Sequence, residues 1–495
     1  MATMHSPDPK RWRALAVVLL ATFMVLLDTS IVNNAVPSIQ ASLGASSGQI
    51  QLILNAYLLA YAALLITGGR LGDMLGRKRM FLLGVAGFAL SSALCGLALT
   101  PAALIGFRAL QGATAALLVP QVSAMIQVEF GAEERGAAFG VLGAVVGLGT
   151  ITGPLLGGLL LGADLWGLGW RPIFLINLPV GAVALLAAAR LVRESRAAGA
   201  QRLDLGGVVL IALALVLIIY PIVEGRTRGW PAWVPAMIVA GLAVLALFVV
   251  DQRRKAARGA APLIVPALFA DRAFRVGLPT SLVFFSGVYS LFLALSVCLQ
   301  AGFGRSPLDA ALMIVPFQSA SLVASLLSAR IARRLGTRVL LLGGVLLGLG
   351  VAGIILLLLI QGAELSRWSL LPVLLVGGAG FGLIIGPLTT LILSGVAPER
   401  AAAASGVLAT AQQVGGALGI AVVGALLFGQ TEGAAADALL RAELFSQATA
   451  LALGFNLGAF VLATGLFALL PSRRPAAKPL LGPEPTTEPL PELPA

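Results

Sequence analysis

The sequence predicts an all-α integral membrane protein: fourteen transmembrane helices arranged as two pseudo-symmetric six-helix bundles with two linker helices between them. Three observations predict it. Charged residues make up only 11% of the 495-residue chain, where a soluble protein carries about 25%. Apolar runs long enough to cross a hydrocarbon layer of ~30 Å recur along nearly the whole chain. Two short patterns also occur twice, about 260 residues apart, and this is the mark of an internal repeat.

The runs give spans at roughly 14–36, 50–69, 79–99, 102–127, 137–161, 171–192, 205–224, 232–250, 276–300, 308–329, 338–360, 369–394, 403–428 and 447–470. Lys and Arg fix the orientation, because cytoplasmic loops retain positive charge. With the N-terminus cytoplasmic, the outward segments hold only Arg171, Arg226, Arg228, Arg305, Arg367 and Arg441, and 26 of the 33 Lys and Arg fall on the inward side, with Arg108 inside a span. A miscounted span would break that alternation. A cell-membrane protein with both termini cytoplasmic is expected.

The echoes set the architecture. Arg70-Leu71-Gly72-Asp73-Met74-Leu75-Gly76-Arg77-Lys78 between spans 2 and 3 recurs as Arg330-Ile331-Ala332-Arg333-Arg334-Leu335-Gly336-Thr337-Arg338 between spans 10 and 11. Glu134-Arg135 with Gly140-Val141-Leu142 recurs as Glu399-Arg400 with Gly406-Val407-Leu408. Span 9 therefore corresponds to span 1. This divides the chain into an N-terminal arm (1–13), a first bundle (14–200), two linker helices (201–260), a second bundle (261–471) and a proline-rich tail (472–495) with no apolar periodicity, expected to be disordered. Two related bundles in a membrane place a transporter's site between them.

Composition removes several function classes. The net charge is +12, but it is spread over short loops and makes no nucleic-acid surface. The single histidine is His5, in the arm, so no histidine relay or His-based metal site lies in the membrane. Cys95 and Cys298 fall inside spans and read as free, packed thiols. The basic residues Lys10, Arg11 and Arg13 precede an apolar run without a small-residue cleavage site, so the first helix is read as uncleaved.

A charge at mid-membrane costs about 2.5–3.5 kcal/mol on insertion scales. One acid lies deep in a span, Asp28, and one base, Arg108. At 1.5 Å per residue, Asp28 lies about 21 Å from the inner edge and Arg108 about 9 Å from the outer, so the depths match. Gln111, one turn below Arg108, can reach either partner. Two readings stand: a pair that binds and releases a proton, or a fixed ion pair that orients helices.

Span 5 carries glycines at 149, 153 and 157, one bare stripe, beside Pro154 and Gly158. Such a stripe allows close backbone approach, and the proline permits a kink. Ordinary helix packing is the other reading. The loop from Gly69 to Arg79 sets Asp73 among Arg70, Arg77 and Lys78, with Gly76 between. The basic residues serve as an inner anchor or as a gate. Asp73 is expected to form a specific salt bridge or cap a helix. Its counterpart Arg333 has the opposite charge, which suggests charge pairing between halves at the cytoplasmic face. Asn33, Asn34, Gln51, Asn55, Tyr57, Tyr61, Tyr289, Gln318, Gln412 and Gln413 either line a substrate cavity or bond between helices.

These segments resemble the major facilitator superfamily, in its fourteen-helix drug:proton antiporter branch. Leu27-Asp28-Thr29-Ser30-Ile31-Val32-Asn33-Asn34-Ala35-Val36-Pro37 is similar to the branch's first-helix signature, and Gly69 to Lys78 to the superfamily loop motif. Arg108-Ala109-Leu110-Gln111-Gly112 resembles the fourth-helix motif, Gly149 to Gly158 the fifth-helix antiporter motif, and Trp170 to Pro179 the start of span 6. Met74, Asn34 and Pro172 depart from the usual pattern. The resemblance implies a major facilitator fold and a multidrug efflux transporter, not an enzyme. It implies proton coupling through Asp28, Arg108 and Gln111, with no cofactor because a proton gradient drives the cycle. The expected partners are a small amphiphilic substrate of one positive charge or none, protons and the lipid bilayer, with the monomer as the working unit. A dedicated exporter of one endogenous metabolite, siderophore or lipid is the main rival; a nutrient importer and a channel rank below it.

Overall fold

The computed structural model describes residues 10–196, 203–225, 229–396, 400–431 and 437–471. The tail, most of the N-terminal arm and Glu399 lie outside the described residues. The helices are α1 (Arg11–Leu43), α2 (Ser47–Leu75), α3 (Arg77–Gly96), α4 (Pro101–Glu129), α5 (Ala132–Ala163), α6 (Pro172–Leu175), α7 (Asn177–Leu191), α8 (Leu205–Gly225), α9 (Trp233–Ala257), α10 (Arg272–Val297), α11 (Pro307–Leu335), α12 (Arg338–Gln361), α13 (Arg367–Leu393), α14 (Ala401–Thr431) and α15 (Ala438–Phe467). Among the described residues, 14 helical segments are long and apolar enough to cross a membrane, α6 and α7 together making one of them.

Local sequence sets the helix ends. Ser46 and Gln49 form a reciprocal capping box at the start of α2. Thr100 caps α4 ahead of Pro101, and Ser306 caps α11 ahead of Pro307; the hydroxyl supplies an acceptor, and the proline has no N–H to leave unpaired. Gly44 ends α1 in the left-handed conformation, at φ 59°.

One expectation needs correction, and one span, present where expected, is broken inside. The basic segment after span 2 is not a loop. Helix α2 continues through Gly69, Arg70 and Asp73, and only Gly76, at φ 115°, breaks the path into α3. A side chain is strained at that φ, and a Cβ there would also meet the Glu194 carboxylate. The sixth span is not one helix. It is interrupted at Ile176 between α6 and α7, where Pro179 cannot donate the N–H that would close the turn onto Leu175. The kink permitted at Pro154 does not interrupt α5, which runs unbroken from Ala132 to Ala163.

Helices α1 to α7 pack together as one group and α10 to α15 as another, while α8 and α9 pack on each other and α8 also lies against α2 and α14. The two groups meet along α2 against α14, α5 against α11 and α1 against α10. At the end away from the basic segments, Ser296 Oγ donates to Asn33 O (3.0 Å) and Gly158 faces the backbone of Leu308. Nearer the middle, Thr410 Oγ1 donates to Ala62 O (3.3 Å).

Candidate functional site

The glycine stripe positions the first functional side chain. Gly149, Gly153 and Gly157 face Leu26, Ser30 and Ile31 of α1, and a Cβ at Gly153 would lie 1.8 Å from Ser30 Oγ. Bare glycine lets α1 and α5 approach closely, which fixes the height and rotation of Asp28.

Asp28 is fully buried at 0% exposure and Arg108 is 2% exposed. They form a direct ion pair: Arg108 Nη1 donates to Asp28 Oδ2 at 2.7 Å and to Gln111 Oε1 at 2.6 Å. Gln111 Nε2 donates to Asp28 Oδ1 at 2.8 Å, so Gln111 touches both partners. The sequence put Asp28 and Arg108 at matching depths with Gln111 one turn below, and the fold puts all three in contact. Burial without such partners would leave a charge uncompensated in a low-dielectric interior.

Two participants escaped the sequence reading. Asn177, the first residue of α7, donates through Nδ2 to Asp28 Oδ1 (3.0 Å) and to Ser92 Oγ (2.8 Å). Gln111 Nε2 also donates to Ser92 Oγ, at 2.7 Å. The two amides thus span the same pair of acceptors, Asp28 Oδ1 and Ser92 Oγ. The signal was present for Asn177, a lone asparagine just after a Trp-Arg-Pro turn and two residues before Pro179. Nothing in the sequence separates Ser92 from Ser91.

The remaining contacts of Arg108 come from α2 and from Phe174 of α6, whose ring centre lies 5.8 Å from the guanidinium. Its guanidinium lies 4.4 Å from the centre of the Tyr57 ring, and Nε donates to Ile53 O at 3.4 Å. An aromatic face attracts a cation by about 2 kcal/mol or more when both are desolvated. Tyr57 therefore belongs to the charge site. Its hydroxyl accepts from Thr29 Oγ1 at 3.3 Å, and its ring lies 5.9 Å from that of Tyr61.

The other polar candidates are dispersed. Asn34 is a strut: Nδ2 donates to Pro154 O at 2.8 Å and Oδ1 faces Ser296 Oγ at 3.5 Å. Gln51 is buried against Gly424 of α14, and Asn55, one turn further along α2, is fully buried with neither amide atom hydrogen-bonded. Tyr289 packs on Gly416, and Gln318 is mostly buried on α11. Asn33, Gln412 and Gln413 are half-buried. Asn55, Gln51, Gln318 and Gln413 keep buried side-chain atoms without a partner, which leaves hydrogen-bonding capacity at the junction of the halves.

At the basic end, Asp73 forms its salt bridge within its own segment, accepting from Arg77 at 2.8 Å, and no pairing with Arg333 occurs among the described contacts. Arg70 reaches further, donating to Pro262 O and, at 3.4 Å, to Leu263 O. Backbone N–H groups of Lys78 and Arg79 donate to Glu194. The stretch that receives Arg70 is itself held by the linker helices. Asp204 accepts from Gly207 N, Gln252 Nε2, Lys255 Nζ and Leu263 N, and Gln252 Oε1 accepts from Ile264 N. Burial works to raise the Asp204 carboxyl, but these donors prevail and hold it down at about 2. At the same end, Glu134 joins Arg11 across α5 and α1 at 2.7 Å, and that hydrogen bond keeps its carboxyl below the usual range.

Comparison with known proteins shows the family. The Major Facilitator Superfamily model covers residues 18–420. The chain is 43% identical to a probable actinorhodin transporter of Streptomyces coelicolor, over 86% of this chain and 73% of that one. It is 38% identical to the puromycin resistance protein pur8 of Streptomyces alboniger, over 88% and 86%, and 35% identical to the tetracenomycin C resistance and export protein of Streptomyces glaucescens, over 84% and 76%. Among solved structures, a bacterial homologue of the human lysosomal transporter Spinster, inward-facing and unoccupied, superposes with a TM-score of 0.66 at 17% identity, covering 94% of this chain and 98% of that one. The chain is a multi-pass membrane transporter that belongs to the Major Facilitator Superfamily, in the fourteen-helix branch that holds drug exporters.

Proposed function

We propose that this protein is a proton-coupled antiporter that exports amphiphilic small molecules from the cytoplasm by alternating access, seated in the cell membrane with both termini cytoplasmic. The observation that carries the reading is the Asp28–Arg108 pair, enclosed within the first group of helices. A proton arriving at Asp28 cancels its charge and weakens its hold on Arg108. Arg108 is also held by Gln111, by the ring of Phe174 and by α2 through Tyr57 and Ile53 O, and α2 packs directly on α14 of the other half. Protonation at Asp28 therefore reaches the junction of the halves by one intermediate helix. Asp28 already accepts from Arg108, Gln111 and Asn177, which favours coupling through Arg108 over direct contact between Asp28 and a substrate cation.

The relatives named for actinorhodin, puromycin and tetracenomycin C support an antibiotic-like substrate. The 43% identity to an actinorhodin transporter favours, as a second reading, a dedicated exporter of one such metabolite. The test is proton movement in inverted membrane vesicles acidified inside and challenged with lipophilic cations and neutral polycyclic amphiphiles. Wild type discharges the gradient with at least one compound, and Asp28→Asn does not. Full discharge by Asp28→Asn removes Asp28 from the mechanism. Discharge by one compound alone selects the dedicated exporter.

A further inference from the structure

The donors around Asp28 suit only its ionised form. Oδ1 accepts from the amides of Gln111 and Asn177, and Oδ2 accepts from Arg108. A carboxylate accepts all three, but a carboxylic acid carries a hydrogen of its own that needs an acceptor. Ser92 Oγ already accepts from both amides, and Gln111 Oε1 accepts from Arg108 and faces Cys95 Sγ. Among the described residues that hydrogen-bond to Asp28, one buried side-chain acceptor is unused. Asn177 Oδ1 is buried with no hydrogen-bond partner, and it belongs to the same amide that donates to Asp28 through Nδ2.

The torsion that carries an asparagine amide is broad and roughly two-fold, so a half-turn exchanges Nδ2 for Oδ1 at little intrinsic cost. In the present orientation Nδ2 faces Asp28 and Ser92, as the carboxylate requires. In the turned orientation Oδ1 faces the same two atoms and accepts the new O–H of Asp28 and the hydroxyl hydrogen of Ser92. We propose that Asn177 is a positioning residue that turns its amide when Asp28 gains a proton, so that one side chain hydrogen-bonds both states of the coupling carboxyl. This rests on the proton-coupled reading above. One O–H bond forms at Asp28 with a proton from solution, and no other covalent bond changes. The charged or titratable groups that face Asp28 are Arg108 from α4, Tyr57 from α2 and Cys95 from α3; α5 presents its glycine stripe to α1. The break at Ile176 places Asn177 at the first position of α7.

Infrared difference spectra of the purified full-length protein, taken between acid and neutral pH, report the carbonyl stretch of protonated Asp28, assigned by its loss in Asp28→Asn. Three proteins are compared: wild type; Asn177→Leu, of similar size and unable to hydrogen-bond; and Asn177→Thr, whose hydroxyl both donates and accepts. The expected result is a hydrogen-bonded acid band in wild type and Asn177→Thr that moves to the higher frequency of a free acid in Asn177→Leu. The pH of half-maximal transport is expected to differ from wild type in Asn177→Leu and to return toward it in Asn177→Thr. An unmoved band in a folded Asn177→Leu protein overturns this inference and leaves the antiporter reading intact. If no Asp28-dependent band appears at any pH that keeps the protein folded, both are overturned.

Discussion

The two halves share a skeleton and differ in what fills it. In each, a glycine stripe on the fifth helix lets the first approach closely: Gly149, Gly153 and Gly157 of α5 against α1, and Gly415 and Gly419 of α14 against the backbone of Leu282 and Ser286 of α10. In each, an asparagine on the sixth helix reaches the first. Asn177 meets a carboxylate, whereas Asn456 Nδ2 donates to Ser290 Oγ (2.9 Å) and Gly287 O (2.6 Å). The first half then closes around an ion pair, and the second around rings, with Phe284 central and Phe285, Phe381, Phe460 and Phe467 at 5.4 to 6.4 Å. The same helical frame therefore supports a buried ion pair in one half and a cluster of aromatic rings in the other.

The strongest way to break this contrast is to open the ion pair. Arg108→Met strands Asp28 as an uncompensated buried charge and is expected to cost about 3–5 kcal/mol, with Asp28→Leu/Arg108→Met recovering most of it. Thermal unfolding in detergent checks both, and a double variant as unstable as the single one would assign the loss to packing. The glycine stripes come next. A Cβ at Gly419 would lie 1.9 Å from the Ser286 backbone carbonyl, which has nowhere to go, whereas one at Gly153 would lie 1.8 Å from Ser30 Oγ, which can rotate away. Overpacking costs about 1–3 kcal/mol, so Gly419→Ala is expected at the upper end and Gly153→Ala at the lower; equal melting temperatures would contradict this. Asn456→Leu is expected to cost only about 0.6 kcal/mol, the average for a hydrogen bond between membrane helices, and to leave the pH dependence of transport unchanged. A shifted pH profile would give the second half a titrating role.

The smallest effect concerns the linker helices. The folded carboxyl of Asp204 is held at about 2, against about 3.9 when unfolded. A depressed carboxyl contributes stability above the unfolded value and loses it as pH falls through the folded one. Protection of the 258–266 backbone against hydrogen exchange is therefore expected to be flat at neutral pH and to fall only between about pH 4 and pH 2. In Asp204→Asn that acid step should be absent.

Asp28 and Arg108 were legible in the sequence because a buried charge is expensive enough to be rare, and their depths followed from helical rise alone. The spans were legible for the same energetic reason. Asn177 and Ser92 were hidden because one amide or hydroxyl in an apolar helix has many uses, and only the fold shows which groups converge. The extension of α2 through Arg70 was hidden because polar residues at a helix end look the same as a loop. The cluster around Asp204 escaped because charges beyond the membrane edge are ordinary.

That cluster bears on how a fourteen-helix chain relates to a twelve-helix one. Asp204 and Gln252 bind the backbone of Leu263 and Ile264, and the carbonyls of the same stretch receive Arg70. At this end the linker hairpin is hydrogen-bonded to the stretch before α10, in addition to the packing of α8 along α2 and α14. A deletion joining α7 directly to α10 would remove that stretch and leave Arg70 to find another acceptor. A minimised twelve-helix design must therefore graft in a replacement turn with free carbonyls facing Arg70, and cannot simply close the gap.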